Sequence, residues 1–222
     1  MSLEQTYELK RVLPFVSPAG TTVADQKRAV AAALGSSIVC DEFTNPAAPA
    51  VAGLQIATAT TVADQEVLAA AMLAPGLAAL AAYPRNVTFT VAGTAAEGPT
   101  SADIVGTDID GNALLETVAL VAAAATYEGV KAFKTIVSIT KKGATGTAAT
   151  VAMGFGKKFG LSNTLKQRAG RSAVIQEVAV GSVVTNGTLV SAATSPPYGT
   201  YSPSTDPDAT RDYAVTYECT LK

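Results

Sequence analysis

The stretch Ala102-Asp-Ile-Val-Gly-Thr-Asp108, followed by Ile109-Asp110-Gly111-Asn112 and Ala113-Leu-Leu-Glu-Thr-Val-Ala-Leu120, reads as a β-hairpin. Apolar and polar residues alternate on both sides of an Asp-Gly pair, and Asp-Gly readily supplies the positive φ angles that a tight turn requires. The same grammar extends outward in both directions. In Asn86-Val-Thr-Phe-Thr-Val-Ala92, the side chains of Val87, Phe89 and Val91 share one face. Further strands are expected at Ala132 to Ile139, Gly146 to Gly154, Ala173 to Val180 and Thr188 to Ala193. The final run is the most regular: Tyr213, Val215, Tyr217, Cys219 and Leu221 fall on one side, and Ala214, Thr216, Glu218, Thr220 and Lys222 on the other. Cys219 therefore reads as a small core residue. The Pro-, Gly- and Tyr-rich segment Ser195 to Pro207 has no strand period and is expected to be a long loop or arm.

Before Pro84 the pattern differs. Thr21-Thr-Val-Ala-Asp-Gln26 and Thr60-Thr-Val-Ala-Asp-Gln65 each precede an Ala-rich apolar run, ending at Leu34 and Leu73. Thr22 and Thr61 are placed as helix N-caps, with Asp25 and Asp64 three residues later, where a carboxylate favours the positive helix end. The two segments read either as a duplicated unit or as two similar caps. Pro75-Gly76 is expected to break or kink the second helix, and Asn45 to Gly53 reads as an extended linker. The expectation is a mainly β protein: an extended and partly helical region over 1–83, then an antiparallel β-sandwich or barrel over 84–222.

Composition narrows the chemistry. The 222 residues include no His and no Trp, 48% are hydrophobic and 15% charged, and the formal net charge is -2. Without His, serine-histidine and cysteine-histidine nucleophile systems are excluded, and the commonest transition-metal ligand is missing. Cys40 and Cys219 are too far apart in sequence for a CxxC motif. The amino-terminal run has early acids and no basic start leading into an apolar segment, so we expect no signal peptide, synthesis in a reducing cytoplasm, and thiols rather than a disulfide. The most apolar runs are too short for a membrane span.

Two motifs are tested against their local alternatives. Asp108-Ile-Asp110-Gly111 has the acid spacing of a calcium loop. Aligned on Gly111, however, the pattern places Gly106 at the first ligand and Thr117 where a bidentate Glu belongs, so a hairpin turn is the better reading. Asp108 and Asp110 are the carboxylate pair that acid-base chemistry would use, but as turn residues they are expected to be solvated. Gly154-Phe-Gly156-Lys-Lys-Phe-Gly160 lacks the spacing of a phosphate loop and reads as a strand exit. No catalytic residue, cofactor or metal site is expected.

Charge distribution is more informative than net charge. Lys131, Lys134, Lys141, Lys142, Lys157, Lys158, Lys166, Arg168 and Arg171 lie in a segment without an acid, which makes them the candidate interaction surface. Gathered on one face they would meet an acidic protein lattice or nucleic acid; scattered by strand alternation they would do neither. Phe133, Phe155 and Phe159 are the aromatic residues within this block, and no recognition-helix motif is present, which makes a nucleic-acid-binding module the lesser reading.

Four strand-and-turn words, Pro84 to Gly93, Val105 to Ala113 with Glu116-Thr117, Val130 to Ile139, and Val151 to Leu161, together resemble a module found in tailed-bacteriophage virion proteins. The resemblance covers about residues 84–165. It implies a small, β-rich, non-enzymatic structural protein, with no functional site carried over. The leading expectation is a capsid decoration, or cement, protein on the outside of the head, bound to the major capsid protein lattice and self-associated as a homotrimer. The alternative within the virion is a tail-tube or connector component.

Overall fold

The computed structural model describes residues 37–121, 123–165, 174–179, 182–184, 187–190 and 199–220. The chain is mainly β, with antiparallel sheets consistent with a β-sandwich. In chain order the elements are β1 (Ser37–Phe43), β2 (Ala50–Ala59), β3 (Gln65–Leu68), α1 (Ala74–Ala82), β4 (Arg85–Gly93), β5 (Ser101–Thr107), β6 (Ala113–Ala119), β7 (Ala125–Glu128), β8 (Thr135–Lys142), β9 (Ala149–Gly160), β10 (Thr164–Leu165), β11 (Val174–Ala179), β12 (Ser182–Val184), β13 (Thr188–Val190), β14 (Thr200–Ser202) and β15 (Tyr213–Thr220). Among the described residues no helix is long and apolar enough to cross a membrane.

Three sheets form. One has the order β3-β8-β5-β6; a second has β13-β14-β9-β4-β7, with β2 also on β9; the third has β1-β15-β11-β12, with β10 also on β15. The alternation in β4 and β9 sends Val87, Phe89, Val91, Val151, Met153 and Phe155 into one core, where they join Ile104, Leu114, Val118, Ile136 and Ile139 from the first sheet. Burying each such Leu, Ile, Val or Phe contributes roughly 1.5–3 kcal/mol, which fastens the two sheets face to face. A second core gathers Phe43, Phe159, Leu161, Tyr201, Tyr213, Val215, Tyr217 and Cys219. Within it the rings of Phe43 and Phe159 stack with centroids 4.3 Å apart, and Tyr83 meets Phe43 edge-on at 5.5 Å. Strand β9 is long enough to serve both cores.

The hairpin of β5 and β6 forms as expected, and its turn is more ordered than expected. Asp108 N donates to Asn112 O, Gly111 N donates to Asp108 O, and Gly111 has φ +86°, which defines a three-residue loop with Gly in the left-handed position. Asp108 is buried rather than solvated. Its Oδ1 accepts the N–H groups of Asp110 and Asn112, both at 2.9 Å, and its Oδ2 accepts the Asn112 amide at 3.2 Å. The carboxylate thereby occupies itself with closing the turn.

Before Pro84 the structure corrects the sequence reading. The segment after Thr61 does not open a helix: the Thr61 hydroxyl donates to the Ala63 carbonyl, and Gln65–Leu68 pairs with β8, Val67 opposite Ile139. Pro75 does not interrupt a helix but lies in the first turn of α1, where its missing N–H has no intrahelical partner to lose. The proposed linker becomes strand from Ala50 onward. Residue 83 separates no independently packed units, because β1 pairs with β15, β2 with β9 and β3 with β8. The earlier segment at Thr21 to Leu34 lies outside the described residues.

Strand β9 also runs through the glycine-rich segment read as a strand exit. A Cβ at Gly154 would collide with the Ala50 carbonyl, and one at Gly156 would lie 2.5 Å from Asn86 Oδ1. These glycines admit a close backbone and a buried amide within a continuing strand.

Candidate interaction surface

The six described lysines of the basic block are each engaged within the chain. Lys142 Nζ lies 2.7 Å from Asp103 Oδ2, Lys157 Nζ 2.7 Å from Asp206 Oδ1, and Lys158 Nζ 2.9 Å from Glu128 Oε2. Lys131 Nζ donates to Leu115 O at 2.5 Å, Lys134 Nζ to Ile109 O at 3.3 Å, and Lys141 Nζ to Thr58 Oγ1 at 3.2 Å. Alternation sends Lys141 inward, where it is buried, and Lys142 to the opposite face of β8. Burial lowers the Lys141 pKa, whereas the Asp103 hydrogen bond and charge raise that of Lys142. Asp103 is held low in turn, first by the Lys142 bond and then by the Thr117 hydroxyl. Lys157 and Lys158 likewise alternate across β9. The block is therefore distributed over several surfaces, its charge partly neutralised by acids that neighbour it only in the fold. Lys166, Arg168 and Arg171 lie outside the described residues.

Three polar features, two of them buried and Asp41 half-buried, carry no sequence signal of their own. Arg85, 1% exposed, lies between the two cores. Its Nε and Nη2 donate to Gly156 O, Nη1 donates to Ala47 O at 3.0 Å, and its Cζ sits 4.6 Å from the Phe159 ring centroid and 5.4 Å from that of Phe155. Burial, outweighing the attraction of Tyr213 and Asp206, lowers its pKa to about 10. Asp41 anchors β1: it accepts the Ser162 hydroxyl at 2.5 Å, the Ser162 N–H at 2.9 Å and the Tyr217 hydroxyl at 2.9 Å. Burial, reinforced by the Asp41 charge, raises the Tyr217 pKa. Glu116, pointing inward from β6, accepts Val130 N–H at 2.6 Å and Lys131 N–H at 3.3 Å, and burial raises its pKa against those bonds. In each case the polar group spends its capacity fastening one element to another.

Two concavities accompany these features. One, of about 440 Å³, runs between β1 and the end of α1 and is lined by Cys40, Glu42, Phe43, Ala81, Ile109 and Lys134 among others. The other, of about 400 Å³, follows the outer side of β6 and is lined by Leu115, Glu116, Thr117, Val130 and Lys131. Among the described residues no group of three or more Cys, Asp or Glu is placed to hold a metal ion.

Large apolar side chains also reach the surface. Across the outer face of the first sheet, register places Leu68 beside Ser138, Ser138 beside Val105, and Val105 beside Leu115. Leu68 is 55% exposed and Leu115 61%, and Val137, the extra residue where the β5–β8 register shifts, is 55% exposed. Compared with known proteins, the chain matches no family model, no curated protein and no solved structure.

Proposed function

We propose that this chain is a non-enzymatic structural protein of a tailed-phage virion, which binds and stabilises the outer surface of the capsid as a decoration or cement protein. The observation that carries the reading is the apolar row on the outer face of the first sheet, where Leu68, Val137 and Leu115 stand exposed on a rigid platform whose inner face is core. Exposed apolar residues grouped in this way mark contact surfaces. The inward polar groups support it: the buried Arg85, Asp108 and Glu116 and the half-buried Asp41 spend their hydrogen bonds in fastening one element to another. A protein that binds the assembled shell and not its separated subunits stabilises the shell by linkage.

The engaged lysines weigh against a nucleic-acid-binding module, which needs cations free to neutralise phosphates. The test is co-sedimentation of purified protein with empty capsids and with unassembled capsid subunits. Saturable binding to capsids alone, with a rise in capsid melting temperature, supports the reading. Equal binding to subunits, or none to capsids, overturns it.

A further inference from the structure

Strand β6 lies at one edge of the first sheet. Edge strands offer unpaired N–H and C=O groups, and soluble proteins blunt them by shortness, bulges or charge. The other described edges follow that rule. Strand β2 has two register shifts, β3 and β7 have four residues each, β12 and β13 have three each, and β1 carries Asp41 and Glu42. Strand β6 has seven residues in unbroken register with β5, and its outward side chains, Ala113, Leu115, Thr117 and Ala119, are all uncharged. Leu120 N donates to Thr100 O and Asp108 N to Asn112 O, so the even-numbered residues of β6 bond to β5. In an antiparallel ladder the odd-numbered residues then direct their N–H and C=O groups away from the sheet. Lys131 Nζ, bound to Leu115 O, reaches that same open side.

We propose that the β6 edge is a self-association surface, on which β6 of a second copy adds antiparallel about a two-fold axis at Leu115. In this register Leu115 pairs with its own copy, and Ala113 of each copy pairs with Thr117 of the other. Every outward pair is uncharged, and Glu116 falls opposite Leu114 rather than opposite another Glu116. The apolar pair of Val105 and Leu115 then continues into its copy across the axis, with Leu68 beyond Ser138 at the far edge of each sheet. Charge complementarity selects a second copy as the occupant. The groove beside β6 is lined by Glu116 and Lys131, and a two-fold brings each Lys131 ammonium, released from Leu115 O, near the partner's Glu116, whose carboxylate keeps its bonds to its own Val130 and Lys131 N–H groups. This gives the self-association expected from the phage resemblance a surface. It favours a dimer over the homotrimer of that expectation.

The test is sedimentation equilibrium of the full-length protein alone, with Thr117→Pro as the main variant. The Thr117 N–H points away from β5, so proline there removes a docking donor without breaking the internal ladder. Thr117→Val, which keeps the N–H and loses the hydroxyl bonded to Asp103, is the control, and Leu115→Lys, which places like charges on the axis, is the second variant. Expected are a wild-type dimer, dimerisation weakened about tenfold or more by Thr117→Pro and by Leu115→Lys, and no such loss in Thr117→Val, with circular dichroism unchanged throughout. A monomer at high concentration, a trimer, or a dimer indifferent to both Thr117→Pro and Leu115→Lys overturns the proposal. Capsid co-sedimentation is read separately, so failure of this edge and failure of the capsid reading are distinguishable.

Discussion

The guanidinium carbon of Arg85 lies 4.6 Å from the centre of the Phe159 ring, a buried cation against the aromatic side chain through which β9 enters its second core. Among the described residues no carboxylate is hydrogen-bonded to this arginine; the Gly156 and Ala47 carbonyls and two aromatic rings hold it. The contact joins the core containing Phe155 to the core containing Phe159.

Replacing Arg85 should therefore cost more than a surface arginine would. Arg85→Ala leaves a cavity and two carbonyls without their donor, with an expected loss of about 3–5 kcal/mol. Arg85→Lys should recover only part of it, because one ammonium lacks the planar fork that spans both acceptors. Urea unfolding followed by circular dichroism measures both. A loss for Arg85→Ala below about 1 kcal/mol would contradict the bridging role.

Glu116 should make stability depend on pH. Its folded-state pKa lies above the ordinary 4.5, with burial the leading cause, so the folded chain binds the proton more tightly than the unfolded chain. The favourable contribution of the protonated form is complete below 4.5 and is lost as pH rises through the folded-state value. Glu116→Gln, which keeps an oxygen acceptor for Val130 N–H, should remove that component. The variant should gain stability relative to wild type between pH 4.5 and pH 7, measured by urea unfolding. A constant difference across this range would contradict the assignment.

The thiols should react very differently. Cys219 is buried and Cys40 is exposed, and β1–β15 register puts Cys40 opposite Thr216, on the other face of the sheet from Cys219. Adjacent residues along a strand alternate faces, so the two sulfurs point apart and no disulfide joins them. A bulky thiol reagent should label one site rapidly and the second only on unfolding. Rapid labelling of both would show that the second core is open.

Much of the β grammar was legible in sequence because it is local. The alternation from Tyr213 to Cys219 and the Asp110-Gly111 turn each encode their own geometry. The helix read at Thr61 failed because N-cap chemistry is also local, whereas Gln65–Leu68 is decided by its pairing with β8, far along the chain. The same separation concealed the surface chemistry. Lys142, Lys157 and Lys158 read as a cationic block until Asp103, Asp206 and Glu128 are folded against them. Arg85 looked unremarkable in Pro84-Arg-Asn86, since nothing in those residues signals that two cores meet there.

The distribution of the lysines sets the mutational test of the basic block. Lys141 is buried and belongs to the sandwich, so the informative variant replaces Lys142, Lys157 and Lys158 by Ser. If these residues contact an acidic capsid surface, binding should weaken most at low salt, where exposed charges are least screened. The acids already beside them lead us to expect a modest change, within about tenfold, with the apolar row retaining most of the affinity. Complete loss of capsid binding would place the contact on the lysines instead.

The capsid reading is tested most directly by locating the protein in intact particles. Electron cryo-microscopy of virions from the source, with this protein marked by a bound antibody fragment, should show density projecting from the capsid faces at a regular lattice position. Density confined to the tail or the connector would contradict the decoration role.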